Sequence, residues 1–499
     1  MMSRTGKPLS SESSMISVGE VLALAGVPWS TAAGLAREAS IRTLDELAEA
    51  AEAHRLWQMP GLNLSLEYHI LRCIKELRSV DQGILMDVAQ FQVEEVRRWL
   101  DGRPGVQRVE AVGELRRGKG LIRDIELLVT ARDPLGLLRA FAAAPLVREL
   151  REEAKDRINV VSTLGLPITL HAVEPDALGA GLLRLTGSSA HLDELRQMAE
   201  GRGLQLGNLF SPGGLEEERI YQLVGLPFVP PELREGEGEL EAARGGKLPK
   251  LIMLSELQGD LHMHTSWADG LHAIKAMADA AKARGYRYVA ICDHSTLIEE
   301  ANGLDEARLV DQGREIERLN AQSSDFTILR GVEVDIRANG ELDLAQQALR
   351  QLDLVIASVH IPYAQDKSTI TRRLIAAMEN PLVDIVGHPT GRRVKGGDLY
   401  AADADELLKA AARTGTVLEV NSGPDRLDLS ADWAHRAKEY GVPLIISSDA
   451  HSVGQLHWMQ FGVATARRGW LEEADVLNSL PLKDLRGRLK RHRTLTDLL

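Results

Sequence analysis

A regular alternation of short apolar strands and helix-like segments runs from about residue 250 to the end of the 499-residue chain. The alternation is repeated about seven times, which predicts a parallel α/β barrel. In such barrels the side chains that carry chemistry lie at the carboxyl ends of the strands. The predicted strands read LQGDLHMHT, YVAICDH, TILRGVEVDI, LVIASVH, VDIVGHP, VLEVNS and PLIISSDAH.

Nearly every one of these strands ends in a residue that can bind a metal ion, and ten of the fourteen histidines lie beyond residue 245. His262 and His264 are two residues apart, so both project from one face of a strand, and Asp449 and His451 repeat this spacing. A lone histidine is more often structural, but chance does not account for the same chemistry at so many strand ends. The predicted metal ligands are His262, His264, Asp269, His294, Glu333, His360, His388, Asp449 and His451.

This set of nitrogen and oxygen ligands exceeds what one tetrahedral ion needs. It predicts two or three divalent ions, with manganese, zinc and iron all compatible. Clustered divalent ions hydrolyse phosphate esters well, so the sequence favours a phosphoesterase. Arg392, four residues after His388, is a candidate for binding a phosphate oxygen, although a solvated loop arginine needs no such role.

Length and composition exclude several other classes of protein. A chain of 499 residues predicts two or three domains. The net charge of −13 comes without a strongly basic half, so bulk charge does not predict tight nucleic-acid binding. Cys73 and Cys292 are the only cysteines, which excludes a disulfide scaffold and thiolate zinc sites. With no secretory signal and no run of 18 apolar residues, we expect a cytoplasmic protein without a membrane segment.

The segments DLHMHTSWADG, CDH, GVEVD, ASVH, GHPTGR and SSDAH resemble, in order, the motifs of the polymerase and histidinol phosphatase (PHP) domain. The resemblance implies a distorted (β/α)7 barrel and three metal positions. It implies one ion on His262, His264, Glu333 and Asp449. Glu333 would bridge to a second ion on His360 and His388, and Asp269, His294 and His451 would hold a third.

The front half contains mixed α/β sequence, with predicted strands VQRVEAVG, IRDIELLVT and LPITLHAV and a helix over PLGLLRAFAAAPLVREL. IRDIELLV places Asp124 and Glu126 on one face of a strand, after the segment VGELRRGKG. This arrangement resembles the nucleotidyltransferase core of the family X DNA polymerases. Together with the PHP motifs it resembles the bacterial family X polymerases that carry a C-terminal PHP domain.

Several positions depart from that family's pattern. Two-metal nucleotidyl transfer needs three carboxylates, and Thr169 stands where the third aspartate is expected. Glu126 replaces the second aspartate, and Glu114 replaces a serine that faces the incoming triphosphate. A carboxylate at that position repels a triphosphate. We therefore expect that DNA polymerase activity has been lost and that Asp124 belongs to a degenerate polymerase site.

The domain boundaries follow from these segments. We expect a disordered tail over 1–18, a helix-hairpin-helix-like region over 19–82, a polymerase-palm-like domain over 83–185, a thumb-like region and connector over 186–245, and a PHP barrel over 250–499. Gly61 and Asn63 are candidate DNA-binding residues, because hairpin turns of this kind bind phosphate through backbone N–H groups.

Three hypotheses for function remain open. The first is a metal-dependent nuclease, either a 3′–5′ exonuclease or an abasic-site nuclease in DNA repair, with weakly held DNA as its partner. The second is a phosphatase of a small phosphomonoester such as a sugar phosphate or histidinol phosphate. The third is a non-catalytic DNA-binding or repair-scaffold protein, which missing ligands would favour. The oligomeric state stays open.

Overall fold

The structure is a computed structural model that describes residues 18–25, 43–56, 64–205, 215–298 and 301–492, with positions 27, 32, 41, 59, 62 and 207. Most of the predicted tail and the candidate DNA-binding residues Gly61 and Asn63 lie outside the described residues. Val18, the last residue assigned to the tail, begins the first helix. Within the described residues, no helix combines the length and apolar character needed to cross a bilayer.

The front of the chain is helical. Its helices are α1 (Val18–Leu24), α2 (Leu44–Glu52) and α3 (Leu64–Arg78). A capping box begins α2: the Thr43 hydroxyl accepts the Glu46 N–H at 3.1 Å, and the Glu46 carboxylate accepts the Thr43 N–H at 3.1 Å. The apolar faces of the three helices enter one hydrophobic core through Val21, Leu47 and Ile70. This core continues into the sheet that follows.

A five-stranded sheet forms the next layer, in the order β2-β4-β7-β6-β5. Its strands β4 and β7 are parallel, and its other pairs are antiparallel. The elements are β1 (Ile84–Leu85), α4 (Met86–Leu100), β2 (Val106–Ala111), α5 (Gly113–Arg116), β3 (Leu121–Ile122), β4 (Ile125–Ala131), α6 (Pro134–Ala142), β5 (Val147–Glu153), β6 (Arg157–Ser162) and β7 (Pro167–Val173).

One predicted element of this region is wrong. The helix expected over PLGLLRAFAAAPLVREL ends at Ala142, and Val147–Glu153 forms strand β5. Pro145 cannot continue a helix without losing a hydrogen bond, and the residues after it pair with β6. The sheet therefore gains an edge strand that the sequence pattern did not reveal.

A small helical cluster connects this sheet to the C-terminal half. Its helices are α7 (Leu178–Thr186), α8 (Ser189–Glu200), α9 (Glu217–Leu223) and α10 (Glu239–Arg244). They have a hydrophobic core of their own, with Leu195, Ile220, Tyr221 and Leu240 fully buried. The cluster is therefore a separate packing unit placed between the two larger ones.

The C-terminal half alternates strands and helices as expected, and the mixed α/β fold is confirmed. Its elements are β8 (Gly259–Met263), α11 (Ile274–Ala283), β9 (Tyr288–Ile291), α12 (Glu306–Asn320), β10 (Thr327–Arg330), β11 (Glu333–Asp335), α13 (Gln346–Leu349), β12 (Ile356–Ser358), α14 (Lys367–Glu379), β13 (Ile385–Val386), β14 (Arg392–Arg393), β15 (Gly397–Asp398), α15 (Ala404–Thr414), β16 (Val417–Asn421), α16 (Ala431–Glu439), β17 (Leu444–Ser447), α17 (Met459–Arg468) and α18 (Leu482–Arg488).

The parallel strands of this half follow one another around a ring. Strands β8, β9 and β10 form one sheet, and β11, β12, β13, β16 and β17 form a second. Strand β11 continues β10 after two residues, and bridges from His294 to Glu333 and from Met263 to Ala450 join the sheets on both sides. The carboxyl ends of these strands therefore meet around one centre.

The two halves of the chain are packed together by apolar and charged contacts. Met86 of the front half is buried in one cluster with Leu427, Trp458 and Phe461 of the C-terminal half. Lys395 of the β14–β15 hairpin lies 2.6 Å from the Glu76 carboxylate of α3. The hairpin beside the strand ends is thus fixed by the front half of the chain.

Candidate metal centre

All nine predicted ligands lie at the carboxyl ends of the ring strands or in the loops that follow them. His262 is in β8, Glu333 begins β11, and the others follow β8, β9, β12, β13 and β17. Parallel strands point the same way, so these ends converge. Neighbouring pairs of the nine side chains approach to between 2.9 and 3.9 Å. The structure therefore brings the whole predicted set together.

The Glu333 carboxylate occupies the middle of the site and is almost fully buried. Its Oε1 lies 2.9 Å from His388 Nε2 and 3.4 Å from His360 Nε2. Its Oε2 lies 3.0 Å from His294 Nδ1 and 3.5 Å from His262 Nε2. One carboxylate thus faces imidazoles on both of its oxygens, an arrangement suited to bridging two cations.

A second group of ligands surrounds Asp269. His451 Nε2 lies 3.3 Å and His294 Nε2 lies 3.7 Å from Asp269 Oδ2. The rings of His264 and His451 stack with centroids 4.1 Å apart and planes at 15°. Asp269 and His451 keep 31% and 24% of their side chains exposed, whereas Glu333 and His264 are almost fully buried. The site is therefore open to solvent on the side of Asp269 and His451.

The donor atoms of the predicted ligands form three overlapping groups. Donor atoms of His264, Asp269, His294 and His451 lie within 4.8 Å of one another, as do those of His262, His264 and Asp449, and those of His294, Glu333 and His360. His264 and His294 each belong to two of these groups. Sharing of this kind is compatible with two or three neighbouring ions, and the assignment of each ligand to one ion stays a prediction.

Buried donor atoms without a hydrogen bond fit the binding of a metal. His264 Nδ1, His294 Nδ1, His388 Nδ1 and Asp269 Oδ1 are buried and have no hydrogen-bond partner among the described residues. A buried polar atom left unsatisfied costs about 1–3 kcal/mol, and native structures contain few of them. Four such atoms around one centre are explained by cations that they would coordinate.

Two carboxylates that the sequence reasoning missed orient two of the ligands, each through a hydrogen bond to one ring nitrogen. Glu419 Oε1 accepts a hydrogen bond from His262 Nδ1 at 2.7 Å, and Asp335 Oδ1 accepts one from His360 Nδ1 at 2.8 Å. A carboxylate on one ring nitrogen fixes the tautomer and leaves the other nitrogen for the metal. The signal was present in GVEVD and VLEVNS, where an acidic residue interrupts an apolar strand.

The charges of the site are strongly coupled. Burial lowers the pKa of His262, but the carboxylates of Glu419 and Glu333 more than offset this and hold it well above the ordinary value. Burial and the nearby imidazoles of His451 and His294 lower the pKa of His264 to about 3. For Glu333 burial opposes ionisation, yet the surrounding imidazoles hold its pKa well below its usual range. His264 is thus an unprotonated imidazole at neutral pH, the form that binds a metal.

Arg392 lies beside the site but donates to the backbone. Its Nη1 donates to the Leu427 carbonyl at 2.6 Å, and its own N–H donates to Asp428 Oδ2 at 3.1 Å. Asp428 also accepts the Thr390 hydroxyl at 2.9 Å. Arg392 therefore connects the loop after His388 to the loop after β16, and its phosphate-binding role stays a prediction.

The residues of the predicted polymerase site also come together, at the end of strands β4 and β7. Glu126 is paired with Thr169 in the register of these parallel strands. Asp124 Oδ2 accepts the Thr169 hydroxyl at 2.5 Å, and burial raises the pKa of Asp124 although this hydrogen bond opposes the shift. Glu114, in α5, accepts the N–H of Arg123, which follows β3, at 2.8 Å. His171, which the sequence reasoning missed, lies 3.7 Å from Glu126.

The two arginines next to this site are paired with carboxylates of the same chain. Arg116 forms a bidentate pair with Glu217, with distances of 3.0 and 2.7 Å, and also donates to the Thr186 hydroxyl at 2.8 Å. Arg117 pairs with Glu235 at 3.0 Å and donates to the Thr186 carbonyl at 2.7 Å. Both guanidinium groups are therefore engaged by acidic residues of the following region.

Comparison with known proteins gives matches to both halves. The PHP domain family matches residues 260–423, and the DNA polymerase beta thumb family matches residues 181–235. A probable phosphatase of Thermoanaerobacter sp. (strain X514) is 31% identical over 231 residues, covering 44% of this chain and 89% of that protein. A solved structure of histidinol phosphate phosphatase from Lactococcus lactis, with zinc, L-histidinol and phosphate, is 18% identical at a TM-score of 0.31, covering 42% of this chain and 93% of that chain.

The similarity extends over nearly the whole chain in one relative. The DNA polymerase/3′-5′ exonuclease PolX of Bacillus subtilis (strain 168) is 33% identical over 486 residues, covering 95% of this chain and 84% of that protein. With the PHP match, this similarity supports a metal-dependent hydrolase of the PHP phosphoesterase type. The chain belongs to the bacterial family X DNA polymerases that carry a C-terminal PHP domain.

Proposed function

We propose that the protein is a metal-dependent nuclease that removes nucleotides from the 3′ ends of DNA or cuts at abasic sites during repair. The observation that carries this proposal is Glu333, whose two oxygens face imidazoles from four different strand ends. The orphaned nitrogens of His264, His294 and His388 support two or three divalent ions, whether manganese, zinc or iron. The predicted nine ligands would hold them in a (β/α)7 barrel, which the ring of parallel strands supports.

When bound, divalent ions activate a water molecule and neutralise the charge that develops on the phosphoryl oxygens. The protein's own residues prepare this chemistry. Glu419 and Asp335 hold the rings of His262 and His360, and the stack of His264 on His451 fixes two further ligands. The substrate reaches the centre from the exposed side at Asp269 and His451.

In this proposal the front half positions DNA but no longer synthesises it. Thr169 replaces a carboxylate and is hydrogen bonded to Asp124, so the site offers two carboxylates for two magnesium ions. Arg116 and Arg117 are engaged by Glu217 and Glu235, so a triphosphate would have to displace internal ion pairs. These contacts support the loss of polymerase activity.

The direct test incubates the purified chain with manganese and either a 3′-recessed or an abasic-site duplex. We expect shortening or cutting of the strand by the wild type and its loss in His264→Ala. His435→Ala is a matched control, because His435 lies on the outer helix α16 with 41% of its side chain exposed. Absence of cleavage by wild-type protein that contains its metals contradicts the proposal.

The second candidate is a phosphatase of small phosphomonoesters, and one finding favours it. The C-terminal half alone resembles proteins named as probable phosphatases, at 31% identity. Competition separates the two activities: the wild type hydrolyses a chromogenic phosphomonoester while DNA is titrated in. Inhibition by DNA supports the nuclease, whereas unchanged hydrolysis at saturating DNA supports the phosphatase.

A further inference from the structure

An apolar rim, formed by Ile361, Tyr363 and Leu399, lies directly beside the candidate metal centre. Ile361 and Leu399 are 46% and 38% exposed, and with Tyr363 they make an exposed apolar patch next to a buried polar site. We propose that the apolar rim, together with Arg393 and Arg426, binds the terminal nucleotides of a DNA strand. This inference rests on the proposed nuclease function.

Two members of the apolar rim, Ile361 and Leu399, are connected to a ligand or its loop. Ile361 directly follows His360 in the chain. The Leu399 N–H donates to the Gly391 carbonyl at 3.1 Å, in the loop that follows His388. Tyr400, next to Leu399, donates its hydroxyl to the Pro389 carbonyl at 3.1 Å. A substrate whose phosphate lies at the metal centre therefore has the apolar rim as its neighbour.

The rim contains an aromatic surface. The rings of Tyr363 and Tyr400 are stacked, with centroids 6.3 Å apart and planes at 18°. Tyr400 is buried, whereas Tyr363 is partly exposed. A nucleobase stacks on such a ring regardless of its sequence, and this stacking is a main source of affinity in proteins that bind single strands.

Arg393 and Arg426 bring positive charge near the apolar rim and the metal centre. The Arg393 guanidinium is 34% exposed, donates to Asp425 Oδ2 at 2.7 Å, and interacts electrostatically with both Tyr363 and Asp449. Arg426 interacts with Asp449 and Glu333 of the centre. Arg393 uses Nη1 for Asp425 and keeps 34% of its side chain exposed, so its other N–H groups can meet a phosphate oxygen of the strand.

The loop that carries Ile361 and Tyr363 of the apolar rim is held in place by the side chain of Arg373. Arg373 is 2% exposed and donates to the carbonyls of Ile361 at 2.6 Å and Pro362 at 2.9 Å. It also donates through Nε to the carbonyl of Ile336, the residue that follows the strand carrying Glu333, at 3.0 Å. Because the buried Arg373 donates hydrogen bonds to three backbone carbonyls, we infer that the apolar rim is a fixed surface. Fixed aromatic surfaces lose little entropy on binding.

This surface fits a nucleotide better than a bare phosphate. Inorganic phosphate or a small sugar phosphate offers no apolar face for Tyr363, Ile361 and Leu399. A strand end offers a stackable base next to the phosphodiester that is cut. The expected substrate is therefore a DNA strand whose terminal bases are unpaired.

The test compares substrates with and without bases in Tyr363→Ala and Tyr363→Phe. The substrates are a short 5′-labelled single strand and the same strand with its last two nucleotides replaced by tetrahydrofuran. We expect Tyr363→Ala to raise the KM for the natural strand about tenfold, as stacking of one base predicts. Tyr363→Phe keeps the wild-type KM, because its ring still stacks on a base.

The tetrahydrofuran strand makes the assignment specific. Removing the bases should raise the KM of the wild type as much as the Tyr363→Ala change does. In the Tyr363→Ala variant, removing the bases should not raise the KM further. Leu254→Ser is the matched control, since Leu254 is 44% exposed and precedes β8, at the opposite end of the strands. An equal effect of Tyr363→Ala on the natural and the tetrahydrofuran strand, or none on the natural strand, overturns the proposal.

A binding measurement separates this proposal from the proposed function. Fluorescence anisotropy with a phosphorothioate-terminated strand reports affinity without cleavage. If the wild type cleaves no DNA, the nuclease assignment fails, while weaker binding by Tyr363→Ala than by Tyr363→Phe still supports the rim as a nucleotide site. If the wild type cleaves DNA and binding is equal in both variants, the rim proposal alone is overturned.

Discussion

The carboxylate of Glu419 in β16 and the imidazole of His262 in β8 are joined by a 2.7 Å hydrogen bond between Oε1 and Nδ1. Glu419 is fully buried and also accepts the His388 N–H at 2.6 Å. One carboxylate therefore holds a ligand side chain and the backbone of a second ligand. It leaves His262 Nε2 directed at Glu333, 3.5 Å away.

Glu419→Gln is expected to weaken metal binding and hydrolysis together, because the amide no longer fixes the charge and tautomer of His262. Loss of such a partner costs about 10- to 100-fold in metal affinity or activity. Metal content by mass spectrometry and kcat/KM at several manganese concentrations check this. Glu379→Gln is the control, because Glu379 forms an exposed ion pair with Arg413. Equal metal content in Glu419→Gln and Glu379→Gln would contradict the assignment.

Binding of divalent ions is expected to stabilise the C-terminal half. An ion at a free concentration of 100 times its Kd adds about 2.7 kcal/mol, which raises the Tm by about 5–10 °C for a unit of this size. Thermal denaturation followed by circular dichroism, with manganese and then with a chelator, measures the shift. The increase in Tm on adding manganese should be lost in His264→Ala and should be unchanged in Asp124→Asn. The same shift in His264→Ala would show that the ions bind elsewhere.

Glu217→Gln is expected to destabilise the front half at neutral pH. Glu217 pairs with Arg116 and with the fully buried Arg234, and removing one partner of a buried pair costs about 3 kcal/mol or more. Burial opposes ionisation of Glu217, but the hydrogen bonds and charges of the two arginines lower its pKa overall. The folded pKa is depressed, so this stabilisation is present above the ordinary value of 4.5 and is lost as the pH falls.

Urea denaturation of wild type and Glu217→Gln between pH 7 and pH 3 tests this dependence. The difference in unfolding free energy should be largest at neutral pH and should shrink below pH 4.5. Glu218→Gln, one residue along the same helix and exposed, should show no such gap. A difference that grows as the pH falls would mean that Glu217 is protonated in the folded chain.

We expect primer extension by the wild type with magnesium to be no greater than the background measured with the Asp124→Ala variant. The site offers Asp124 and Glu126 without a third carboxylate, and Arg116 and Arg117 are paired internally. For the same reason Thr169→Asp alone should not restore synthesis. Magnesium-dependent extension by the wild type that disappears in Asp124→Ala would show that the polymerase site is still active.

The sequence alone predicted the nine side chains that the structure brings together at the strand ends. Period-two spacing in β8 places His262 and His264 together, and parallel strands align their carboxyl ends, so the local pattern dictates that these residues converge. The departures at Thr169 and Glu114 could likewise be read from the sequence, because each is a change of residue type at a position defined by its neighbours.

Only the tertiary structure decided how these groups are shared and supported. His264 faces Asp269 through Nδ1 at 3.9 Å and Asp449 through Nε2 at 3.1 Å, and only the packing of the loops around it sets these distances. GVEVD and VLEVNS show an acidic residue within an apolar strand, but only the packing of strands shows that Glu419 contacts His262 and that Asp335 contacts His360. The pairs of Arg116 and Arg117 join residues more than 100 positions apart. Spacing along a chain constrains neighbours within an element, whereas contacts between elements depend on how the whole chain packs.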